Sequence, residues 1–165
     1  MPNLPISTSR RLQYARGYLK LGMLVDASDE LESIEGEDRL SVEVAEVRML
    51  LHAEAKQWDL AAATECQVAL AKPSEPYGWI AWAYAARRLV SIASAEAILL
   101  NAEPRIGATC AVLHFNLACY RCQQGDIEGA KKRLATACKL DPEAKKMALE
   151  EPDLEPMWAA IAEMG

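Results

Sequence analysis

The chain has 165 residues and a net charge of −6 at pH 7; 52% of its residues are hydrophobic and 25% are charged. This length suffices for one folded domain, and the mixture of apolar and charged residues excludes both a disordered chain and a membrane-spanning one. The negative charge argues against nucleic acid as the ligand. Because the N-terminal segment MPNLPISTSRR has two prolines and no apolar stretch, we expect no secretory signal and a cytoplasmic protein.

The composition predicts helices. Alanine and leucine dominate, β-branched residues are sparse, and no Asn-Gly hairpin dipeptide occurs. The five cysteines are an odd number without the paired framework of secreted proteins, so we expect them to be reduced and mostly buried.

Four similar segments follow one another along the chain, each with two helical patterns separated by a break. They begin at Thr8, Val44, Pro76 and Ala111, at separations of 36, 32 and 35 residues. The fourth is the clearest: a first helix reaches Gln124, Gly125-Asp126 interrupts the pattern, and a second helix ends before Pro142. Such a period predicts stacked helix–turn–helix pairs, because one pair cannot cover its own apolar face.

The segment after Pro142 is predicted to cover the end of the fourth pair. Pro152 and Pro156 frame a break, and Asp153 is a plausible N-cap for a last helix. The apolar residues of that helix follow helical spacing: Leu154, Met157, Trp158 and Ile161. A second interpretation of the same helix is a surface through which two copies of the chain associate.

The fourth segment resembles a tetratricopeptide repeat (TPR), a helix–turn–helix module of 34 residues. The residues at its signature positions are Leu117, Ala118, Ala130, Leu134, Ala137 and Pro142. The resemblance implies an all-α, right-handed α-solenoid of TPR helix–turn–helix pairs. It also implies one domain over residues 1–165, with repeats at about 8–43, 44–75, 76–110 and 111–144 and a C-terminal cap at about 145–165.

The resemblance also implies a concave groove lined by the first helix of each repeat. Its 24 predicted lining positions contain six Lys or Arg residues and no Asp or Glu. The groove residues expected to bind a ligand are Arg16, Lys20, Arg48, His52, Lys56, Tyr84, Arg87, Arg88, Phe115 and Asn116. We therefore predict a protein–protein interaction adaptor or scaffold that binds an acidic or carboxylate-bearing peptide, with Tyr84 and Phe115 as apolar anchors.

No catalytic arrangement is apparent, so we expect neither an enzyme nor a bound cofactor. The two histidines, His52 and His114, lie in different repeats, and no phosphate-binding glycine loop occurs. Cys119 and Cys122 have a spacing that some metal and redox sites use. However, zinc needs four ligands, and a redox pair normally begins at a helix N-terminus. A thiol-based metal or redox protein and a self-assembling subunit therefore remain alternatives to the adaptor.

Overall fold

The computed structural model describes residues 6 to 164, and every regular element within that span is a helix. The chain divides into two compact units, Met1–Lys72 and Pro73–Gly165. The single domain predicted over residues 1–165 includes residues 1–5 and 165, which lie outside the described residues, and it stays a prediction. None of the helices described is both long enough and apolar enough to cross a membrane.

The first unit contains two helical pairs and a short 3-10 helix. Its elements are α1 (Thr8–Lys20), α2 (Leu24–Glu32), the 3-10 helix (Gly36–Leu40), α3 (Val42–Glu54) and α4 (Trp58–Ala71). The hydroxyls of Ser7 and Ser41 cap α1 and α3 by accepting hydrogen bonds from the first turn of each helix. One apolar cluster in the core of this unit consists of Ala15, Ala27, Leu31, Ile34, Val44, Val47 and Leu51.

The second unit contains two further helical pairs and a C-terminal cap. Its pairs are α5 (Pro76–Leu89) with α6 (Ile92–Ile106), and α7 (Ala111–Gln123) with α8 (Ile127–Leu140). The cap consists of α9 (Ala144–Ala148), a second 3-10 helix (Pro152–Met157) and α10 (Trp158–Glu163). The largest fully buried side chain of the unit is that of Trp79, whose indole N–H donates to the carbonyl of Pro73 at 3.1 Å.

An equivalent backbone hydrogen bond closes the turn between the helices in all four described pairs. The amide just before each second helix donates to a carbonyl near the end of the first helix. The bonds are Met23 N–Tyr18 O, Gln57 N–His52 O, Ser91 N–Ala86 O and Asp126 N–Arg121 O. Three of the turns contain a residue with positive φ, which is Gly22, Lys56 or Gly125. Lys56 thus occupies a left-handed position that glycine fills in the first and fourth pairs.

These turns correct the predicted position of the second pair. Its first helix begins at Val42, two residues before the predicted start at Val44, which makes the pairs begin at 8, 42, 76 and 111. Position 56 holds lysine, so no glycine marks this turn in the sequence. A start at Val44 would put Ala63 at the buried small-residue position of the second helix, but Ala63 is exposed, whereas Ala61 is fully buried.

Equivalent residues of the second helices confirm the revised register. The fourth residue of each is a fully buried alanine: Ala27, Ala61, Ala95 and Ala130. The eighth residue is a buried leucine in three pairs, Leu31, Leu99 and Leu134, but it is Glu65 in α4. Only 3% of Glu65 is exposed, and its Oε2 has no hydrogen-bond partner. Burial raises the pKa of this carboxyl from 4.5 to about 7.

The cap is more broken than the single last helix predicted from the sequence. Pro152 and Pro156 lie within the 3-10 helix, and α10 begins only at Trp158, so Asp153 does not serve as its N-cap. Leu154, Met157 and Ile161 are buried, as expected for a cap. Because the Trp158 indole donates to the Ala148 carbonyl at 2.9 Å, this side chain is also engaged within the unit. Self-association through the C-terminal helix stays a prediction.

The Lys56 turn gives a first test of the register. Lys56 has a φ of 56°, a conformation that disfavours residues with a Cβ. We expect Lys56→Gly to stabilise the protein by about 1 kcal/mol, measured by urea denaturation. Gly125→Ala is the matched control: it puts a Cβ at the equivalent turn, where φ is 84°, and should destabilise. A loss of stability in the Lys56→Gly variant would contradict the turn assignment.

Glu65 predicts a specific dependence of stability on pH. Because its pKa is raised in the folded state, folding favours the protonated carboxyl, and stability falls as pH rises from 4.5 through about 7. Glu65→Gln keeps the shape of the neutral form and removes this loss. The variant should match the wild type at about pH 4 and exceed it by up to about 3 kcal/mol at pH 8. A difference in unfolding free energy that does not change with pH would contradict this account.

Candidate functional site

The clearest candidate site lies in the second unit, where α5 carries three of the predicted groove residues. Tyr84 and Arg88 are exposed, and the guanidinium of Arg88 lies over the Tyr84 ring at 3.5 Å from its centroid. Arg88 also donates to the Tyr84 carbonyl at 3.3 Å and to its phenol oxygen. Stacking on the ring and the two hydrogen bonds hold the guanidinium in a defined orientation.

Arg87 is bound to a carboxylate of the cap. Its two terminal nitrogens donate to the two carboxylate oxygens of Asp153, the second bond measuring 3.0 Å. The guanidinium carbon lies 5.8 Å from the centroid of the Tyr120 ring. Hydrogen bonding to Asp153 raises the pKa of Arg87. Two parallel bonds from a planar fork are the strongest form of arginine–carboxylate contact.

An open cavity of about 460 Å³ lies beside this pair. It is lined by Tyr84, Arg87, Arg88, Asn116, Cys119, Tyr120, Glu151 and Asp153. Helices α5 and α7 supply the arginines, the aromatic rings and the amide, and the cap supplies both carboxylates. The cavity therefore has cationic and anionic sides, which the prediction of a uniformly basic groove did not anticipate.

Phe115 and Asn116 have different surroundings on α7. Asn116 is half-buried and lines the cavity, so its amide can contribute a hydrogen bond to a ligand. Phe115 was predicted as an apolar anchor, but only 8% of it is exposed. The ring that the surface offers near the arginines is that of Tyr84.

In the first unit, Arg16 and Lys20 are exposed on α1. Arg16 lines a second cavity of about 580 Å³, together with Thr8, Ser9, Leu12, Gln13, Asp38, Ser41 and Glu43. This cavity also mixes charges, since Asp38 and Glu43 are among its lining residues. The acids near Arg16 come from the segments that follow α2, and the groove roles of Arg16 and Lys20 stay predictions.

The three predicted groove residues of the second pair are displaced by the corrected register. Arg48 lies 3.5 Å from the Glu32 carboxylate, His52 Nδ1 lies 3.1 Å from the Thr64 hydroxyl, and Lys56 is in the turn. Burial is the main cause that lowers the pKa of His52. A shift of two residues rotates a helix position by about 200°, so these side chains move away from the predicted face.

The residues that take these groove positions on α3 are acidic or uncharged. In the corrected register, the α3 residues equivalent to the predicted α1 groove positions are Glu43, Glu46, Val47, Leu50, Ala53 and Glu54. Three of these six are acids and none is basic. The predicted excess of basic residues on the first helices therefore does not include α3.

Cys119 and Cys122 do not have the surroundings of reactive thiols. Both are buried, with exposures of 4% and 5%. Burial raises the pKa of Cys119 to about 12, and it also raises the pKa of Cys122. Reactive cysteines have lowered pKa values and access to solvent. Across residues 6 to 164, no three His, Cys, Asp or Glu side chains form a group that could hold a metal ion.

His114 has a structural environment. It is buried, its Nε2 lies 2.8 Å from the carbonyl of Gly107, and its Nδ1 lies 3.3 Å from the guanidinium of Arg133. Arg133 in turn binds the carboxylate of Glu103. The network joins α6, α7 and α8, so both nitrogens of His114 are engaged in packing these helices together.

Asp153 and Glu151 are the site residues that sequence reasoning missed. Asp153 was interpreted only as a helix cap, because nothing local in the sequence relates it to Arg87, 66 residues away. The sequence carried only an indirect signal. The segment predicted to cover the last repeat has acidic residues next to Pro152, and covering the repeat brings these acids close to α7.

Comparison with known proteins bears on the fold. No protein-family model matches the chain, and no curated protein matches it. Among solved structures, MamA from AMB-1 superposes with a TM-score of 0.68 at 23% identity, covering 83% of this chain and 74% of the MamA chain. MamA from MSR-1 gives a TM-score of 0.63 at 14% identity, with coverages of 94% and 95%.

Both MamA structures have TPR-like helical repeats, and at these identities the likeness shows the fold alone. The predicted all-α TPR solenoid class is confirmed.

The buried cysteines make a direct prediction about thiol chemistry. With its pKa near 12 and 4% exposure, Cys119 should react with iodoacetamide at pH 8 on the order of a hundredfold more slowly than free cysteine. Peptide mapping by mass spectrometry after timed alkylation gives the rate at each thiol. Half-buried Cys138 serves as the internal comparison. Alkylation of Cys119 faster than that of Cys138 would support the thiol-based alternative.

Proposed function

We propose that the chain is a protein–protein interaction adaptor, and that the second unit binds an acidic or carboxylate-bearing peptide in the cavity between α5, α7 and the cap. The observation that carries this proposal is the bidentate contact between Arg87 and Asp153. The position already holds a carboxylate in the geometry that arginine recognition of acidic side chains uses.

Arg88 and Tyr84 supply the part of the cavity that would meet the ligand first. Arg88 is exposed, and its guanidinium is pre-oriented by the ring, which reduces the side-chain entropy lost on binding. The Tyr84 ring offers apolar area to the ligand's methylene groups, and the Asn116 amide can form a hydrogen bond with the ligand's backbone. The peptide would be bound non-covalently, with no covalent bond made or broken. A cytoplasmic location remains part of the proposal.

The cavity volume limits the size of the recognised element. About 460 Å³ accommodates one or two side chains with the adjoining backbone, so the unit would recognise a short motif rather than a folded domain. The chain's net charge of −6 repels acidic partners at long range. Affinity would therefore come from close contacts with the two arginines, and it would be modest.

Fluorescence anisotropy with a labelled hexaglutamate peptide tests this proposal. Arg88→Glu should weaken binding at least about tenfold, because it replaces a charge-assisted contact with repulsion. Lys132→Glu is the matched control, since it reverses an exposed positive charge on α8 of the same unit. Equal binding by the Arg88→Glu and Lys132→Glu variants would contradict the proposal. A hexaglutamine peptide should bind weakly to the wild type.

A further inference from the structure

The cap places one of its own carboxylates where a ligand's carboxylate would bind. The Asp153 carboxylate accepts hydrogen bonds from both terminal nitrogens of Arg87. The backbone carbonyl of Asp153 accepts a 2.8 Å hydrogen bond from the side-chain amide of Gln123. Its amide N–H lies 3.3 Å from a carboxylate oxygen of Glu151, which lines the same cavity. The acidic segment Glu151–Asp153 is thus attached to the cavity wall by main-chain and side-chain bonds.

The residue next to Asp153 keeps this segment in place. Leu154 is fully buried, and Met157, at the end of the same 3-10 helix, is 1% exposed. The backbone of the cap is therefore fixed independently of the ion pair. The paired side chains are themselves 29% and 21% exposed, for Arg87 and Asp153, so the carboxylate can leave the guanidinium by a rotamer change while the cap stays docked.

From these contacts we infer that Asp153 is an internal competitor, a carboxylate of the chain itself that a partner's carboxylate has to displace from Arg87. This inference rests on the proposed function and adds its regulation. A tethered group acts at a high effective concentration, and the apparent affinity for a ligand is proportional to the fraction of molecules in which Arg87 is released, so it is low while Asp153 holds Arg87. The pocket then rejects isolated carboxylates and retains ligands that also contact Arg88 and Tyr84.

Neutralising Asp153 tests the inference. Asp153→Asn keeps the shape of the side chain, and its amide oxygen can still accept one hydrogen bond from Arg87, so the cap should remain docked. The variant should bind labelled hexaglutamate about tenfold more tightly than the wild type does, because the competing charge is gone. Glu155→Gln removes the same charge from an exposed neighbour two residues away, and it should leave the affinity unchanged.

A second variant separates competition from a general loss of negative charge. Adding Arg87→Met to Asp153→Asn should abolish the gain in affinity, since the released guanidinium is its source. Thermal unfolding of each variant verifies that the cap is intact. Absence of a gain in Asp153→Asn, while Arg88→Glu still weakens binding, would overturn the internal competitor and leave the adaptor standing. Hexaglutamate binding that Arg88→Glu does not weaken would overturn both.

Discussion

The hydrogen bond that closes the turn between the two helices of each pair is the constraint on which the rest of the structure depends. It joins the amide before a second helix to a carbonyl near the end of the first, and it recurs in all four described pairs. Because an α-helix turns by about 100° per residue, the position of this bond decides which residues of the first helix face a ligand. A register error of two residues therefore exchanges one helix face for nearly the opposite one.

Close packing follows from the same register. A fully buried alanine recurs at the fourth residue of each second helix, where a larger side chain would push the helices apart. The buried leucine of the eighth position is replaced once, by Glu65. This substitution lowers stability at neutral pH, since burial favours the protonated carboxyl. Natural sequences tolerate such a cost when the remaining core suffices.

The fold class and three of the four starting positions could be predicted from the sequence, because buried alanines, leucines and turn glycines repeat with a regular period. The second start could not, because Lys56 adopts the left-handed conformation that glycine would have marked. The prediction of a basic groove face on α3 depended on that start and does not fit the structure. Arg48 pairs with the Glu32 carboxylate, and His52 contacts the Thr64 hydroxyl. The contact of Arg87 with Asp153 was beyond reach, since no local pattern links residues so far apart in the chain.

What remains of the predicted basic groove is a smaller site of mixed charge in the second unit. Arg88 and Tyr84 form its exposed side, Asn116 offers an amide, and Arg87 is held by a carboxylate from the cap. Binding at this site would be governed by exchange between carboxylates rather than by long-range attraction, because the chain as a whole is negatively charged. In the proposed mechanism, the two arginines orient a ligand's carboxylate, and Asp153 of the cap competes with that carboxylate for Arg87.

The most direct test is an NMR titration of the isotopically labelled protein with hexaglutamate. The account predicts shifts of the Asn116 side-chain amide and of the guanidinium Nε–H signals of Arg87 and Arg88. The signals of Arg48 and His52 should stay unchanged. Dominant shifts at Arg48 and His52, with none at Arg87 and Arg88, would contradict the corrected register and the site derived from it.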